Sequence, residues 1–508
     1  MGYNDWAAEF CALNQSLFTD TADFMLSSGL QKAGYNRLNL DDCWQLHDRA
    51  ANGSFQWDPE KFPNGIPWLA KYMNDRGFSL GIYSDAGNKT CGGYMGSLGY
   101  EELDAATFAS WGIDYLKLDG CNMPDPSEKT YKQIYGRWHG VLENLAQPLI
   151  FSESAPAYFA EAENLTDWYS VMDWVPKYGQ LARHSRDTLV FNSTLYWPNI
   201  TGWDSIMFNY GQNVRLARYQ KPGYFNDPDF LNVDHANYTM AEKMSHFALW
   251  SSLSAPLIIS ANVPALTKDD IAYLTNTDII AVDQDPLGLQ ATLVSQDGTW
   301  DVLTKDLAGG DRLLTILNRG NFTANYTVSL ARVGIISDNT VPYRVKNLWT
   351  GTLSHVSNQI TATLVPSHGT AVFRIQALGN PIKVVPTGMI FNTFSLNCLT
   401  ASTNETLSWT SCIGSDSQVW QVAADGTVRS LVNYSQCLTD GGFNSTATIT
   451  QCSFDQKQSW KYHLSGNLKA ASSRMCLTEA DNGLVQSTAC GYETNEQVIA
   501  LPGGVEIW

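Results

Sequence analysis

Apolar and polar residues along the first 285 positions alternate as short strands and amphipathic helices. Each strand candidate is a short apolar run that ends at a polar turn: Asn36–Leu40, Phe78–Tyr83, Tyr115–Leu118, Leu149–Ser152, Gly223–Asn226 and Pro256–Ser260. Between them, apolar residues recur at helical spacing over Gly65–Arg76 and Tyr131–Leu145. A strand followed by a helix over this length predicts βα units, and about eight such units close a TIM barrel. We therefore predict a (β/α)8 barrel over residues 1–285.

The pattern changes after residue 285. Short alternating runs such as Arg312–Leu317 and Ala371–Ile375 lie between Gly, Asp and Asn turns. They predict an antiparallel β-sandwich domain over residues 286–378. Ala377–Pro386 is rich in turn residues and reads as a linker.

Residues 387–508 contain an internal repeat. Cys-Leu-Thr begins at Cys398, Cys437 and Cys476, with a spacing of 39 residues each time. A second Cys follows 14 or 15 residues later, and each copy then carries a Gln-x-Trp-like triplet that begins at Gln418, Gln458 or Gln497. Three copies of about 40 residues predict a β-trefoil with one disulfide in each lobe. The predicted pairs are Cys398–Cys412, Cys437–Cys452 and Cys476–Cys490.

This repeat resembles the ricin-type lectin modules of carbohydrate-binding module family 13. In those modules a sugar site needs an acidic residue directly after the first Cys-Leu. That position is Thr in all three lobes here, and the acids come later, at Asp440, Glu479 and Asp481. Two alternatives stay open: at least one lobe binds a second carbohydrate, or the trefoil is purely structural.

Composition narrows the class of partner. The chain has 508 residues, of which 16% are charged and 12% are aromatic, including 17 Trp. Aromatic rings stack on the flat faces of sugars, which fits a protein that handles carbohydrate. A net charge of -18 and a pI near 4.8 argue against nucleic acid and anionic membranes as partners.

Several features predict an extracellular protein. Ten Cys, an even number, fit five disulfides in an oxidising compartment. No apolar run reaches the length of a membrane span, and the chain opens directly on the strand-like Met1–Trp6, so we expect that a leader was removed. Twelve Asn-x-Ser/Thr sequons predict N-glycosylation. They are Asn14, Asn52, Asn88, Asn164, Asn192, Asn199, Asn237, Asn321, Asn325, Asn404, Asn433 and Asn444.

Two acidic residues at predicted strand ends carry the chemistry. Asp119 ends the run Tyr115–Cys121, where a Gly-Cys turn breaks the strand, and Asp187 ends Leu181–Asp187. Barrel enzymes build their active sites at the carboxyl ends of their strands. Two carboxylates placed this way indicate glycoside hydrolysis, in which one attacks the sugar and the other donates a proton. On this reasoning alone, Asp227 or Asp229 would serve equally well as the second acid.

Five motifs of the barrel occur in a characteristic order. They are Met1–Trp6, Leu40–Trp44, Gly81–Cys91, Tyr115–Cys121 and Asn226–Asp229. Together they resemble glycoside hydrolase family 27, which contains α-galactosidases and α-N-acetylgalactosaminidases, and the resemblance covers residues 1–378. It implies a TIM barrel with a β-sandwich domain and a retaining mechanism. No metal or cofactor motif is visible, since the eight His lack paired ligand spacing.

The resemblance assigns roles to the acids. It makes Asp119 the nucleophile and Asp187 the acid/base, and it places Asp227 and Asp229 in the wall of the site. Lys117 lies two residues before Asp119, so both side chains face the same side of the strand. We expect the charge of Lys117 to keep Asp119 ionised and its ammonium to contact a substrate hydroxyl.

Sugar recognition is also implied by the resemblance. Asp41 and Asp42 are expected to hold O6 and the axial O4, which selects galactose over glucose. Because a buried acid rejects a sugar that lacks its hydroxyl, Asp41 counts against a β-L-arabinopyranosidase. Trp6 is expected to pack on the apolar face of the sugar, with Tyr83 and Arg183 in the polar wall.

The loop Ser152–Tyr158 is expected to read the substituent at C2. Glu153 would crowd out an N-acetyl group there and so favour galactosides, although the small Ala157 lies near the end of the loop. The family further implies the bridges Cys11–Cys43 and Cys91–Cys121.

These observations predict a secreted, retaining α-galactosidase of the fungal type. Its expected substrates are terminal non-reducing α-D-galactosyl residues of galacto-oligosaccharides and galactomannans. The alternatives are an α-N-acetylgalactosaminidase or β-L-arabinopyranosidase of the same family, and a catalytically inactive galactose-binding lectin.

Overall fold

The computed structural model describes residues 1–188, 200–336, 342–378, 381–402, 405–453 and 455–508. Its first sheet has eight parallel strands in the order β7-β6-β5-β4-β3-β2-β1-β8. They are β1 (Gly2–Asn4), β2 (Arg37–Asn39), β3 (Ser79–Asp85), β4 (Tyr115–Asp119), β5 (Ile150–Glu153), β6 (Leu181–Arg183), β7 (Phe225–Asp227) and β8 (Ile258–Ile259). Leu231, just beyond β7, forms a parallel bridge with Ile259 and closes the sheet. The predicted TIM barrel is confirmed.

Helices surround this sheet. They are α1 (Trp6–Glu9), α2 (Gln15–Ser28), α3 (Leu30–Ala33), α4 (Ile66–Asn74), α5 (Glu101–Ser110), α6 (Glu128–Glu143), α7 (Thr166–Tyr178), α8 (Gly202–Asn213), α9 (Met240–Leu253), α10 (Lys268–Leu274) and α11 (Thr277–Asp283). Helix α6 forms because Tyr131, Ile134, Trp138 and Leu142 recur on one face, which is buried as the spacing predicts. The strands β1 and β6 have only three residues each, which leaves little periodicity for a sequence pattern to detect.

Two antiparallel sheets follow the barrel. Their strands are β9 (Thr292–Gln296), β10 (Trp300–Leu307), β11 (Asp311–Asn318), β12 (Ala324–Ser329), β13 (Tyr343–Asn347), β14 (Leu353–Val356), β15 (Gln359–Val365) and β16 (Thr370–Gln376). Six form the sheet β14-β13-β16-β11-β10-β9, and β12 pairs with β15. Val302 and Phe373 from the first sheet and Val328 and Ile360 from the second share one core, as a sandwich requires.

The C-terminal part of the chain is a set of short antiparallel strands. They are β17 (Thr387–Met389), β18 (Phe391–Asn392), β19 (Cys398–Ala401), β20 (Leu407–Thr410), β21 (Val419–Val422), β22 (Val428–Ser430), β23 (Gln436–Thr439), β24 (Ser445–Thr446), β25 (Thr448–Gln451), β26 (Trp460–Tyr462), β27 (Leu468–Ala470), β28 (Cys476–Ala480), β29 (Leu484–Thr488) and β30 (Ile499–Ala500). Trp420, Trp460 and Ile499 occupy equivalent places in a single core, which is the arrangement that a threefold repeat predicts.

Covalent and surface features match an oxidising environment. All ten Cys are paired, as Cys11–Cys43, Cys91–Cys121, Cys398–Cys412, Cys437–Cys452 and Cys476–Cys490. Nine of the twelve sequon asparagines lie in the described residues, and all nine are exposed. Asn192, Asn199 and Asn404 lie outside the described residues. Within the described part of the chain, no helix is both long and apolar enough to span a bilayer.

The third trefoil lobe is docked on helix α7 of the barrel. The Leu165 N–H and the Thr166 hydroxyl, at the start of that helix, donate to Asn495 Oδ1 at 3.2 Å and to the Glu493 carbonyl at 3.0 Å. In the first turn of the helix, the hydroxyl of Tyr169 lies 2.7 Å from that of Thr393. The trefoil is therefore joined to the barrel by hydrogen bonds as well as by the chain.

Candidate active site

The polar residues predicted from the motifs gather at one end of the barrel. Asp119, Arg183 and Asp227 are the last residues of β4, β6 and β7, and Asp41 follows β2. These are the carboxyl ends of parallel strands, so the side chains converge on the face where barrel enzymes bind substrate.

One oxygen of the Asp119 carboxylate accepts two hydrogen bonds. Its Oδ1 accepts a hydrogen bond from the Tyr158 hydroxyl at 2.5 Å and from the Gly120 N–H at 2.8 Å. Tyr158 lies in a 3₁₀ turn, Ala155–Tyr158, directly after β5. Tyr158 was not predicted as a site residue, because nothing in the sequence fixes the direction of a side chain in such a turn.

Lys117 connects strand β4 with the turn after β2. Its ammonium lies 2.7 Å from Oδ2 of Asp41 and 5.2 and 5.3 Å from the ring centres of Tyr83 and Phe230. Burial disfavours the charge on Lys117, but the carboxylates of Asp41 and Asp119 outweigh burial and raise its pKa above the ordinary value. Lys117 is therefore a fixed positive charge between these two acids.

Asp41 and Asp42 both enter the interior, although adjacent strand residues normally face opposite ways. The chain turns at Cys43, whose φ is +73°. Oδ2 of Asp42 accepts the Gly92 N–H at 2.7 Å, and its Oδ1 accepts the Cys43 N–H at 2.7 Å. Burial raises the pKa of Asp42 to about 6, and these N–H donors oppose the rise.

Arg183 lies between two carboxylates. Its Nη2 donates to Asp187 Oδ1 at 3.0 Å, and its Nη1 lies 2.8 Å from Oδ1 of Asp229. The side chain of Asp187 is 58% exposed and that of Asp229 only 3%, so Asp187 faces the opening and Asp229 the wall. Burial raises the pKa of Asp229 to about 6, against the opposing charge of Arg183. Asp227 pairs in register with Arg183 and accepts the Asp229 N–H at 2.8 Å.

An apolar wall completes the pocket. Trp6 is half-buried, and its ring lies 5.3 Å from that of Phe10 in an edge contact. Both pack with the buried Phe230 in one small cluster. Phe230 directly follows the Asn226–Asp229 motif and is a site residue that the motif alone did not reveal.

The prediction that Glu153 reads the C2 substituent is wrong. Glu153 pairs in register with Leu118, while Ser152 pairs with Lys117. Glu153 therefore faces the helix layer, on the opposite side of the sheet from Lys117 and Asp119. It is fully buried against Gly179, where a Cβ would lie 2.5 Å from Oε1 of Glu153. Burial raises the pKa of Glu153 well above its ordinary value.

Ser154, Ala157 and Tyr158 lie directly after β5, next to strand β4. The Ser154 N–H donates to the Leu118 carbonyl at 3.1 Å. Its buried hydroxyl has no hydrogen-bond partner among the described residues. Ala157 is half-buried in the same turn as Tyr158, which contacts Asp119. This part of the wall is lined by small side chains.

A second carboxyl lies beside Asp119. Asp85 is the last residue of β3 and pairs in register with Asp119. Oxygens of both carboxyls and the sulfurs of Cys91 and Cys121 lie within 4.8 Å of one another. The two sulfurs are bonded to each other as a disulfide, so they offer no thiolate to a metal ion. Asp85 was not predicted from its motif.

Each trefoil lobe repeats one polar network. The Thr that replaces the acidic residue lies 2.7 or 2.8 Å from a second Thr, and a buried Gln donates to it at 3.0 or 3.1 Å. The trios are Thr400–Thr410–Gln418, Thr439–Thr450–Gln458 and Thr478–Thr488–Gln497. Asp440 accepts from Ser472 at 2.6 Å and Glu479 from Ser395 at 2.6 Å, both across lobes. Asp481 is exposed.

A TIM barrel with paired acids, a lysine and an arginine at its strand ends defines a glycoside hydrolase. Three family models match the chain: Alpha galactosidase A over residues 5–285, Alpha galactosidase C-terminal beta sandwich domain over 297–375 and Ricin-type beta-trefoil lectin domain over 386–498. The chain belongs to the α-galactosidases of glycoside hydrolase family 27.

Individual proteins similar to this chain are also α-galactosidases. The chain is 54% identical over 511 residues to α-galactosidase A of Aspergillus niger, covering 100% of this chain and 92% of that protein. The crystal structure of α-galactosidase I from Mortierella vinacea is similar with a TM-score of 0.67 and 28% identity, over 75% of this chain and 97% of that one. The α-galactosidase of Saccharomyces cerevisiae with raffinose gives 0.66 and 26%, over 74% and 97%.

Proposed function

We propose that this protein is a secreted, retaining α-galactosidase. In this proposal the catalytic barrel spans residues 1–285, the β-sandwich 286–378 and the trefoil 387–508. Its substrates are terminal non-reducing α-D-galactosyl residues of galacto-oligosaccharides and galactomannans. The observation that carries the proposal is the placement of Asp119 and Asp187 at one barrel mouth, with Lys117 and Arg183 beside them.

In the first step a carboxylate oxygen of Asp119 attacks the anomeric carbon as the glycosidic C–O bond breaks. Asp187 gives its proton to the departing oxygen, which leaves as the aglycone alcohol. The exposure of the Asp187 side chain, 58%, supports its place beside the leaving group. The products are a galactosyl ester of Asp119 and the carboxylate of Asp187.

In the second step the carboxylate of Asp187 takes a proton from water. The water oxygen attacks the anomeric carbon, and the bond to Asp119 breaks. Two inversions release α-galactose and restore both acids. Arg183 stabilises the charge that Asp187 carries between the steps, since its guanidinium lies at hydrogen-bond distance.

The binding of galactose is assigned to the buried acids. Asp41 and Asp42 each have a carboxylate that strand β2 and the Cys43 turn direct inwards. A hydroxyl group of the sugar that satisfies such an acid is selected strongly, because its absence leaves a buried acceptor unpaired. Trp6 and Phe230 offer an apolar face for the sugar ring.

Proton NMR during hydrolysis of p-nitrophenyl α-D-galactopyranoside tests the mechanism. We expect α-galactose to appear first, before mutarotation. Early β-galactose would mean inversion and would remove the nucleophile role from Asp119. The variant Asp119→Asn should lose about 10³-fold or more in kcat/KM, and Asp20→Asn, at an exposed position of helix α2, is the control for a generic Asp substitution.

A second activity, hydrolysis of α-N-acetylgalactosaminides, is favoured by one observation. Glu153, the residue expected to crowd the C2 position, faces the helix layer. Ser154 and Ala157, which flank that position instead, are small, and the Ser154 hydroxyl is unpartnered among the described residues. The test of this second activity is the ratio of kcat/KM for p-nitrophenyl α-N-acetylgalactosaminide to kcat/KM for p-nitrophenyl α-galactoside. A ratio below about 10⁻³ would exclude this activity as more than a trace, because such a ratio corresponds to about 4 kcal/mol of discrimination.

Secretion and a second carbohydrate ligand belong to the same proposal. Five disulfides and nine exposed sequons in the described residues support an extracellular location.

Among the trefoil acids, Asp440 and Glu479 are bonded across lobes and Asp481 is exposed, so a second sugar is best accommodated by the third lobe. Calorimetric titration of Asp119→Asn with galactose measures the stoichiometry. One site per chain would leave the trefoil structural, and two would support the second ligand.

A further inference from the structure

The two oxygens of the Asp119 carboxylate are in different environments. Oδ1 accepts both the Tyr158 hydroxyl at 2.5 Å and the Gly120 N–H at 2.8 Å. Oδ2 accepts no hydrogen bond from the described residues. An oxygen that already accepts two donors has its lone pairs engaged in the plane of the carboxylate, whereas the other oxygen keeps its lone pairs for a new bond.

The turn behind the nucleophile is fixed by Asp85. Oδ2 of Asp85 accepts the Cys121 N–H at 3.0 Å, and its Oδ1 accepts the Gly87 N–H at 2.7 Å. Cys121 follows Gly120, whose N–H binds Asp119. Asp85 is fully buried, so these two bonds are its means of satisfying both oxygens.

Backbone contacts reinforce this junction. The Ala86 N–H donates to the Asp119 carbonyl at 2.9 Å. A Cβ on Gly87 would collide with the Cys121 carbonyl, so glycine allows the two turns to meet. The loop after β3 therefore holds the backbone on both sides of the nucleophile.

We propose that Tyr158 and Asp85 are positioning residues for the nucleophile, and that Oδ2 of Asp119 is the oxygen that attacks the anomeric carbon. This inference rests on the proposed function, in which Asp119 is the nucleophile. Tyr158 holds Oδ1 directly and stabilises the ionised carboxylate. Asp85 acts through the backbone of Gly120 and Cys121 and sets the angle at which Oδ2 faces the sugar.

Covalent labelling with an activated fluorinated α-galactosyl fluoride isolates the step concerned. Oδ2 of Asp119 forms an ester bond to C1, the C1–F bond breaks, and fluoride leaves with the bonding electron pair. The limiting labelling rate and the reagent's inhibition constant separate the attack from binding. Peptide mass mapping of the labelled protein first establishes which residue carries the sugar.

Tyr158→Phe removes the donor to a charged acceptor, and the ionised form of Asp119 loses that stabilisation. We expect the acid limb of the labelling rate to move up by about one pH unit. The matched control is Tyr434→Phe on the trefoil, because Tyr434 is 42% exposed and Tyr158 41%. The control should leave the limb in place.

Asp85→Asn keeps the size of the side chain, but its amide NH₂ faces one of the two N–H donors and loses that bond. We expect the limiting labelling rate to fall about 10–100-fold while the inhibition constant changes less than about twofold, since only the approach of Oδ2 is altered. A general loosening of the site would instead weaken binding and lower the melting temperature of the variant together with the rate.

The outcomes separate the two proposals. A label on another residue would overturn both the nucleophile assignment and this inference. A label on Asp119, with an unmoved acid limb in Tyr158→Phe and an unchanged rate in Asp85→Asn, would overturn the positioning role alone. Should Asp85→Asn not fold, Tyr158→Phe decides by itself, because Tyr158 is at the surface and its ring is retained.

Discussion

The ammonium of Lys117 lies 2.7 Å from Oδ2 of Asp41, and the two side chains are only 10% and 2% exposed. This pair links β4, which carries Asp119, to the turn after β2, which carries Asp41 and Asp42. Asn4 donates to the same oxygen at 2.8 Å. Both charged groups are buried, and each lies at hydrogen-bond distance from the group that compensates it.

Lys117→Met should therefore reduce both stability and activity. Removing one partner of a buried pair leaves the other charge uncompensated, at a cost of about 3–5 kcal/mol in the free energy of unfolding. Urea denaturation measures this loss, and the kcat/KM for galactoside should fall as well. Lys71→Met is the control, because Lys71 and Asp75 form an exposed ion pair with side chains 72% and 57% exposed. Its effect should stay below about 1 kcal/mol, and equal losses in the two variants would refute the role of burial.

The Cys91–Cys121 disulfide should matter for catalysis as well as stability. It closes a chain separation of 30 residues next to the turn after Asp119, so replacing both Cys by Ala should cost on the order of 3–4 kcal/mol and lower kcat. The trefoil bridge Cys476–Cys490 has a separation of 14 and lies in another domain. Its double Ala variant should lose stability but keep kcat. An unchanged kcat in the Cys91→Ala/Cys121→Ala protein would show that Asp85 and the backbone suffice to hold the turn.

Glu493 should make the protein less stable at alkaline pH. Burial, and then the charge of Asp173, raise its pKa from the ordinary 4.5 to about 8 at the junction of trefoil and barrel. A carboxyl whose folded pKa is raised takes up a proton on folding. Its stabilising contribution is complete below pH 4.5 and is lost as the pH rises through about 8, with a change on the order of 2–4 kcal/mol.

Melting temperatures between pH 4.5 and 8.5 test this dependence. Glu493→Gln is neutral throughout and should flatten the decrease, while Asp42 and Asp229 keep their own contributions in both proteins. Glu496→Gln, an exposed neighbour, is the matched control and should follow the wild type. A wild-type slope in Glu493→Gln would rule out this carboxyl as the source.

Ala157→Leu should change the preference at C2. A larger side chain beside the nucleophile strand leaves less room for an N-acetyl group than for a hydroxyl. We expect kcat/KM for α-N-acetylgalactosaminide to fall about 10–200-fold relative to α-galactoside. Ala424→Leu, at an exposed trefoil position, should leave the ratio unchanged. A constant ratio in Ala157→Leu would mean that the C2 substituent points elsewhere.

Much of the site follows from the order of motifs. Asp119 is predicted from its place at the end of a barrel strand and Lys117 from its position two residues earlier, whereas Asp41 and Arg183 are implied by the resemblance of the motifs to the family. The fold then brings these side chains together, because the carboxyl ends of parallel strands meet at one face of a barrel. The trefoil followed from a repeat of cysteines and glutamines, since equal spacing requires equal lobes.

The orientation of the Glu153 side chain could not be predicted from the sequence. It is adjacent in sequence to Ser152, which faces the same side as Lys117, but a step of one residue along a strand reverses the face. Only the register between β4 and β5 decides which of the two enters the pocket. The sequence did not reveal Tyr158 and Asp85 for a related reason. Tyr158 follows β5 and Asp85 ends β3, but their partners Asp119 and Cys121 lie at the end of β4, and only the pairing of these strands brings them together.

The sequence by itself determined the barrel, the sandwich, the trefoil and the family, because strand periodicity, cysteine spacing and motif order are properties of the chain. The tertiary structure alone decided which side chains meet at Asp119. The direction of a side chain at a strand end depends on the register of the strand and on turns such as those at Cys43 and Gly120. Contacts between distant segments of the chain set both the register and the turns. The orientation of Glu153, which faces the helix layer while Ser154 and Ala157 lie in the turn after β5, is the clearest consequence.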